Sequence, residues 1–537
     1  MTEIVTSQTP PILHGPSEKE RKYDRQLRLW AASGQAALES ANILLVNSGA
    51  GTVGIETLKN LVLPGIGRFA IYDDTVVTEA DLGVNFFLDD ACLGKSRSQS
   101  LTALLLELNP EVEGAWYPNT EATTLAALLT TSPTFTAIVY TYPIQQEHLS
   151  ALAEYGEKHK TPLFAVHSAG FNSYFKISLP GAFPIVDTHP DETATTDLRL
   201  LAPWPELVSF AKDMTKDIGN LNHFEHGHLP CVVILLHYLD QWRETHGGSY
   251  PSTYKEKTEF RRIVQNAART DNPEGGEENF DEAVAAVLKT VVSPPLPSGL
   301  REVFEYKRNI PAEQRSGFWI IVDAVEQFYA KHKCLPLPGS VPDMKAQSKV
   351  YVQLQNIYKS KARQDAGEVL QIVHATADGQ QIDPAEVELF CKNAAFVKLI
   401  NATGGDSSAR ISSSDRLKLV VDQELENDEN AEAMMMPLSL LPIYLALQAT
   451  SHVASASEDD ILAEVAKVVP GANQIEKIVS AAKEVARAEG GELHNVAALT
   501  GGMVAQEMIK IITKQYIPID NTCIFDGINS RCQVLRL

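Results

Sequence analysis

Paired cysteines, basic charge and long apolar runs are all scarce in this sequence. Six cysteines (Cys92, Cys231, Cys334, Cys391, Cys523 and Cys532) are spread over 537 residues, with no C-x-x-C among them. Such spacing argues against a disulfide framework or a structural zinc site. Lysine and arginine together number 46 against 68 acidic residues, a formal net charge of -22. That balance argues against nucleic acid or an anionic membrane surface as the main partner. It serves solubility, or else presents an acidic face to a basic protein. The opening stretch, MTEIVTSQTPPILHGPSEKE, has no apolar h-region, so no signal peptide is expected there. Apolar runs fall short of the roughly 20 residues a membrane helix needs. The nearest, HLPCVVILLHYL, is short and carries histidines. The expectation is a reduced, intracellular, soluble protein.

A hydrophobic content of 44% is that of a globular protein, and the length calls for two or three domains. Residues 1–20 are rich in Pro, Ser and Thr and read as loose. ANILLVNSG reads as a buried strand ending in glycine, followed by a helix from Thr52 to Leu63, the turn LPGIG, and the strand RFAIYDD. FTAIVYTYP and TPLFAVHSAG are further apolar strands, so a parallel, doubly wound sheet is expected up to about residue 170. FNSYFKISLPG then alternates like an antiparallel strand. From about residue 195 to 490 the period is mainly helical, as in DPAEVELFCKNAAFVKLI, where Asp383 is the N-cap, Pro384 sits at N1 and Glu386 at N3. DNPEGGEENFDE and DQELENDENAE read as exposed loops or helix ends. The chain closes with an apolar helix containing Gly-Gly, LHNVAALTGGMVAQEMIKIITK, and the strands TCIFDG and CQVLRL. The α/β domain is therefore expected in two segments, 1–170 and 491–537, split by a mainly helical insertion over 171–490.

Two motifs carry chemistry. Gly49-Ala50-Gly51-Thr52-Val53-Gly54 fits G-x-G-x-x-G between a strand and a helix, with Asp73 and Asp74 where a ribose-binding acid would sit. There the backbone can approach a phosphate and the helix N-terminus supplies donors; the same glycines also suit a tight turn with no ligand. In YDRQLRLW, Tyr23, Leu27 and Trp30 form one apolar stripe on a helix, with Arg25 on the opposite face and Arg28 near it.

YDRQLRLW, IETLKNLVLPGIGRFAIYDDTVVTEADLGVNFFL and LTGGMVAQEMIKIITKQYIPIDNTCIFDG together resemble the activating enzymes of ubiquitin and ubiquitin-like proteins. Within them, FNSYFKISLPGAFPIVDTHPDETATTDLRLLAPWPEL and the run IITKQYIPIDNT are similar to the regulatory subunits of the neddylation branch. The resemblance implies a ThiF/MoeB-like, Rossmann-type adenylation half-domain. It implies a heterodimer in which one half holds ATP and Mg²⁺, joins the modifier's C-terminal carboxylate to the nucleotide and releases pyrophosphate. The catalytic partner's cysteine then takes the modifier as a thioester. It also implies residence in cytoplasm and nucleus.

The residues place this chain on the non-thioester side. The strand FTAIVYTYP ends in Tyr140, Thr141, Tyr142 and Pro143, where an active half carries a Mg²⁺-binding acid. Asn85 is present in DLGVNFFL but the accompanying arginine is not, and Arg97 stands where the catalytic lysine is expected. Gly49, Gly51, Gly54 and Asp73 are then a remnant nucleotide loop. Cys231 opens an apolar helix and is followed by Val232 instead of threonine, Cys334 lies in a loop, and Cys391 in an amphipathic helix; none has an activating context for a thioester. The ubiquitin-fold domain that the resemblance implies for catalytic subunits is not expected in this chain. Arg25 resembles an arginine finger reaching the partner's ATP site; the alternative is a simple pair with a nearby carboxylate. The insertion reads as a cysteine-domain half without its cysteine. In it Val322, Val325 and Phe328 are expected in the core, and His223, His226 and His228 as a polar turn ahead of Cys231 more than a metal site. The partners implied are the catalytic subunit and the modifier, with no nucleic acid and no membrane.

Overall fold

The structure, a computed structural model, describes residues 17–120, 123–190, 197–271, 275–311, 315, 317–400, 413–433 and 436–537. The stretch 1–16 of the expected loose N-terminus lies outside them. Residues 18–22 are not loose: a short helix, Glu18–Lys22, starts at a capping box formed by Ser17 and Glu20.

Two compact units divide the chain, Met1–Ile185 with Ile400–Leu537, and Val186–Leu399. The breaks therefore fall well inside the expected 171–490 insertion. The first unit is built on an eight-stranded sheet. Its strands are β1 (Asn42–Val46), β2 (Arg68–Tyr72), β3 (Glu113–Tyr117), β4 (Ala137–Thr141), β5 (Leu163–Ala169), β6 (Asn172–Ser178), β7 (Thr522–Asp526) and β8 (Arg531–Leu535). They lie in the order β8-β7-β6-β5-β4-β1-β2-β3. Strands β1 to β5 are parallel, and β6, β7 and β8 are antiparallel to their neighbours. β1 and β4 are buried at every residue, because helices cover both faces of a doubly wound sheet. β1 lies between β2 and β4, with Leu44 opposite Ala70 on one side and Ile138 on the other. The order reverses there, so the crevice for a ligand opens beyond the ends of β1 and β4.

β6 pairs with both β5 and β7, which places the antiparallel strand in the sheet and not in an insertion. The helices Leu441–Ala449, Glu458–Ala466 and Glu476–Ala488 also belong here: Leu445, Ile461 and Val485 share one core with Tyr174 of β6 and Ile524 of β7. Of the two readings of DQELENDENAE, loop or helix end, the structure has the second: it is the C-terminal half of the Ser413–Ala433 helix. Its buried Asp428 accepts a hydrogen bond from Ser439 N (2.7 Å) and pairs with Lys477 (3.3 Å).

His494–Thr513 is, by length and composition, apolar enough to cross a bilayer, against the expectation that no such run exists. Here its apolar side is consumed by the helix Thr52–Val62. A Cβ at Gly501 would lie 2.8 Å from Thr57 N, so the first glycine of the pair is where the two helices touch backbone to backbone, while Gly502 faces open space. Any larger residue at 501 would force them apart.

The second unit is helical around its own core, which includes Leu207, Val233, Leu235, Phe260, Phe280 and Tyr358. Val322, Val325 and Phe328 are buried on the Gly317–His332 helix, as their spacing predicts. The Pro384–Lys392 helix begins where Asp383 accepts from Ala385 N (2.9 Å). In HFEHGH, buried His226 is committed to Glu277 (2.8 Å) and stacks on Phe280, just ahead of the Cys231–Thr245 helix. Among the described residues no three His, Cys, Asp or Glu side chains form a group that could hold a metal ion.

Candidate functional site

The glycine loop follows β1 at the switch point and enters the Thr52–Val62 helix through Gly51, whose φ of 65° is in the left-handed region. The glycines are dictated by what lies beside them. A Cβ at Gly51 would fall 2.3 Å from Asn47 Nδ2, one at Gly54 2.7 Å from Asn47 Oδ1, and one at Gly49 2.8 Å from Pro143 Cδ. Thr141, at the end of β4, ties the loop down: its hydroxyl accepts from Ser48 N (2.8 Å) and donates to Ser48 O (3.0 Å). The position where an active half would carry a Mg²⁺-binding acid thus fastens two strand ends together.

Asp73 follows β2 as expected for a ribose acid, yet both its oxygens are fully used. Oδ2 accepts from Arg97 Nε (2.7 Å) and Asn47 Nδ2 (2.8 Å), and Oδ1 from Thr75 N (3.1 Å) and Thr75 Oγ1 (2.6 Å). Four donors saturate a carboxylate. Arg97 also donates through Nη1 to Asp81 (2.9 Å) and to the carbonyl of Gly49 (2.9 Å), so it crosses the mouth of the loop. Its side chain is 4% exposed. Burial alone would weaken the cation, but Asp73 and Asp81 outweigh it and hold the guanidinium above its ordinary pKa. Asp81 is fixed in turn by a capping box with Thr78. Arg97 Nη2 and Asn47 Oδ1 are buried and have no hydrogen-bond partner among the described residues. Asn85 is buried beneath the loop that follows, its Oδ1 accepting from Phe87 N (3.2 Å).

The helix N-terminus, the natural seat for a phosphate, carries a carboxylate instead. Glu492 Oε2 accepts from Val53 N (2.9 Å). Burial raises its pKa to about 7, against the pull of Val53 N–H and Arg97 toward the charged form. A nucleotide does not fit these residues: the ribose acid is saturated, no acid directly follows β4, and Glu492 already occupies the helix end. Nothing in the sequence around EGGELHN signals this role, which depends on a partner 439 residues away.

Glu492 carries a pH signature. Its folded pKa of about 7 lies above the ordinary 4.5. Such a group stabilises the fold fully below pH 4.5, and that contribution is lost as pH rises through 7. Glu492→Gln is therefore expected to match the parent near pH 4 and to exceed it near pH 8 by on the order of 3 kcal/mol in urea unfolding. A stability difference that does not change with pH would refute the assignment.

Arg25 makes none of the loop contacts. It is exposed on the Asp24–Glu39 helix, and among the described residues it has no ion pair or hydrogen bond. The nearby carboxylate is taken by its neighbour: Arg28 pairs with Asp24 at 2.9 Å. Tyr23 and Trp30 of the expected stripe are buried and Leu27 is half-buried. The helix is broken between its halves, however, with Trp30 and Ala31 in non-helical conformations.

Burial disfavours the thiolate at Cys231, Cys334, Cys391 and Cys523, whereas Cys532 is exposed and Cys92 partly so. Burial pushes the thiols of Cys231 and Cys391 up to about 12, and it raises that of Cys334. Cys231 lies against Met344 at 3.7 Å.

Comparison with known proteins gives the family. The ThiF family model matches residues 23–537. The NEDD8-activating enzyme E1 regulatory subunit of Xenopus laevis is 34% identical over 95% of this chain and 97% of its own. That of Drosophila melanogaster is 35% identical over 97% and 98%. The Arabidopsis thaliana regulatory subunit AXR1 is 32% identical over 97% of each. With a nucleotide loop filled by its own side chains and this likeness running end to end, the chain belongs to the ThiF family and, within it, to the NEDD8-activating enzyme E1 regulatory subunits.

Proposed function

We propose that this chain is the half of a heterodimeric activating enzyme that binds no nucleotide and holds no thioester cysteine. In this reading the catalytic partner binds ATP and Mg²⁺. The C-terminal carboxylate of a NEDD8-like modifier attacks the α-phosphorus there, the α–β bond breaks, and pyrophosphate leaves. A thiolate of the partner then attacks the acyl carbon, forming the thioester and releasing AMP. This chain contributes its dimer surface and Arg25, whose planar guanidinium suits phosphate oxygens in a water-poor site. It works in cytoplasm and nucleus. The observation that carries the reading is the contrast between two arginines: Arg97 is consumed inside its own chain, while Arg25 is exposed and has no ion pair or hydrogen bond among the described residues.

The test is reconstitution. Purified catalytic partner, modifier and ATP are expected to give ATP–pyrophosphate exchange and thioester only when this chain is added. Cys231→Ala is expected to load modifier at unchanged stoichiometry. Loss of loading with Cys231→Ala in a folded heterodimer would place the nucleophile on this chain and overturn the reading.

A further inference from the structure

The stretch that carries Arg25 is only about a turn and a half long, bounded by Tyr23 and by the break at Trp30–Ala31. A helix that short does not hold itself in water. It is clamped at both ends by groups distant in sequence. At its start, buried Tyr23 accepts from Asn109 Nδ2 (3.0 Å) and donates to Glu111 Oε2 (3.1 Å). Asn109 Nδ2 also donates to Val62 O (3.0 Å), anchoring the clamp to the helix that follows the glycine loop.

At its end, the break leaves carbonyls without helical partners. Trp30 O accepts from Gln515 Nε2 (3.0 Å) and Leu29 O from Tyr516 Oη (3.3 Å). The Trp30 indole donates to Gln35 (3.2 Å) and rests on Gly34, where a Cβ would lie 2.7 Å from Trp30 Cβ. The clamp thus joins YDRQLRLW to the KQYIPID run near the C-terminus.

We infer that Gln515, with Asn109 and Tyr516, is a positioning residue for Arg25, fixing the direction in which its guanidinium enters the partner's nucleotide site. The inference rests on the proposed role of Arg25. None of these residues touches substrate; they act by holding a short helix whose displacement would misplace the guanidinium.

A double-mutant cycle in the reconstituted heterodimer tests it, read by ATP–pyrophosphate exchange. Gln515→Ala is expected to lower kcat about tenfold or more, with KM for ATP and modifier within about twofold. Gln515→Glu, isosteric but unable to donate, should behave the same. Combined with Arg25→Ala, Gln515→Ala should add less than about a twofold loss, because both act through one group. Tyr516→Phe, which removes only a hydroxyl, serves if Gln515→Ala does not fold; it should give a smaller loss that also vanishes in the Arg25→Ala background. If Arg25→Ala lowers the rate and the Gln515 loss is absent or fully additive, the positioning role is wrong while the role of Arg25 stands. If Arg25→Ala itself leaves the rate unchanged, both fall.

Discussion

Arg25→Ala is expected to slow adenylation by the assembled enzyme by about 10²- to 10³-fold, the loss that follows removal of a preorganised donor from a developing charge. The free chain should hardly notice the change. Arg25 is exposed and without an ion pair or hydrogen bond among the described residues, so its removal should alter stability by less than about 0.5 kcal/mol. That combination separates a group used in the complex from one used in folding. An interaction made only in the transition state lowers kcat and kcat/KM together. Arg25→Lys keeps the charge but not the fork that grips two oxygens, so it should recover part of the rate. Arg28→Ala, on the same helix but paired with Asp24, should leave the rate near that of the parent. An unchanged exchange rate with Arg25→Ala would reduce this chain to a scaffold.

The second large effect is on stability. Arg97→Met should destabilise the isolated chain by about 3–5 kcal/mol, the cost of leaving buried charge without its partner. Asp73 would keep Asn47 and Thr75, and Asp81 would keep Thr78, but both carboxylates would lose the only cation between them among the described residues. Arg97→Lys should fall between, because one ammonium cannot span Asp73, Asp81 and the Gly49 carbonyl at once. Urea unfolding of the two variants beside the parent reads both effects. A neutral Arg97→Met would show that the guanidinium is not seated in the loop.

Much of this was legible in the sequence, for physical reasons that also mark where reading stops. Strands buried on both faces appear as apolar runs, so β1, β2, β4 and β5 are plain in ILLV, FAIY, AIVY and LFAV. Edge strand β3 is half-exposed, and EGAWY carries no such run. The insertion expected from the sequence is wider than the second unit because helical periodicity does not say what a helix packs against. Leu445 and Val485 could have faced any core, and only the fold shows that they meet Tyr174. At the site, the glycines and Asp73 announce themselves by spacing, and Arg97 only through the resemblance. Asn47, which forces two of the glycines, is an ordinary residue after a strand. The break at Trp30–Ala31 is equally silent, since Gly34 and Gln515 make room for it from elsewhere.

The most direct test of the account is nucleotide stoichiometry. Calorimetric titration with ATP and Mg²⁺ should give no binding to this chain alone and a single equivalent per heterodimer, unaltered in number by Arg97→Lys. Saturable binding by the isolated chain, or two equivalents per heterodimer, would mean that the glycine loop is a working site and would contradict the account.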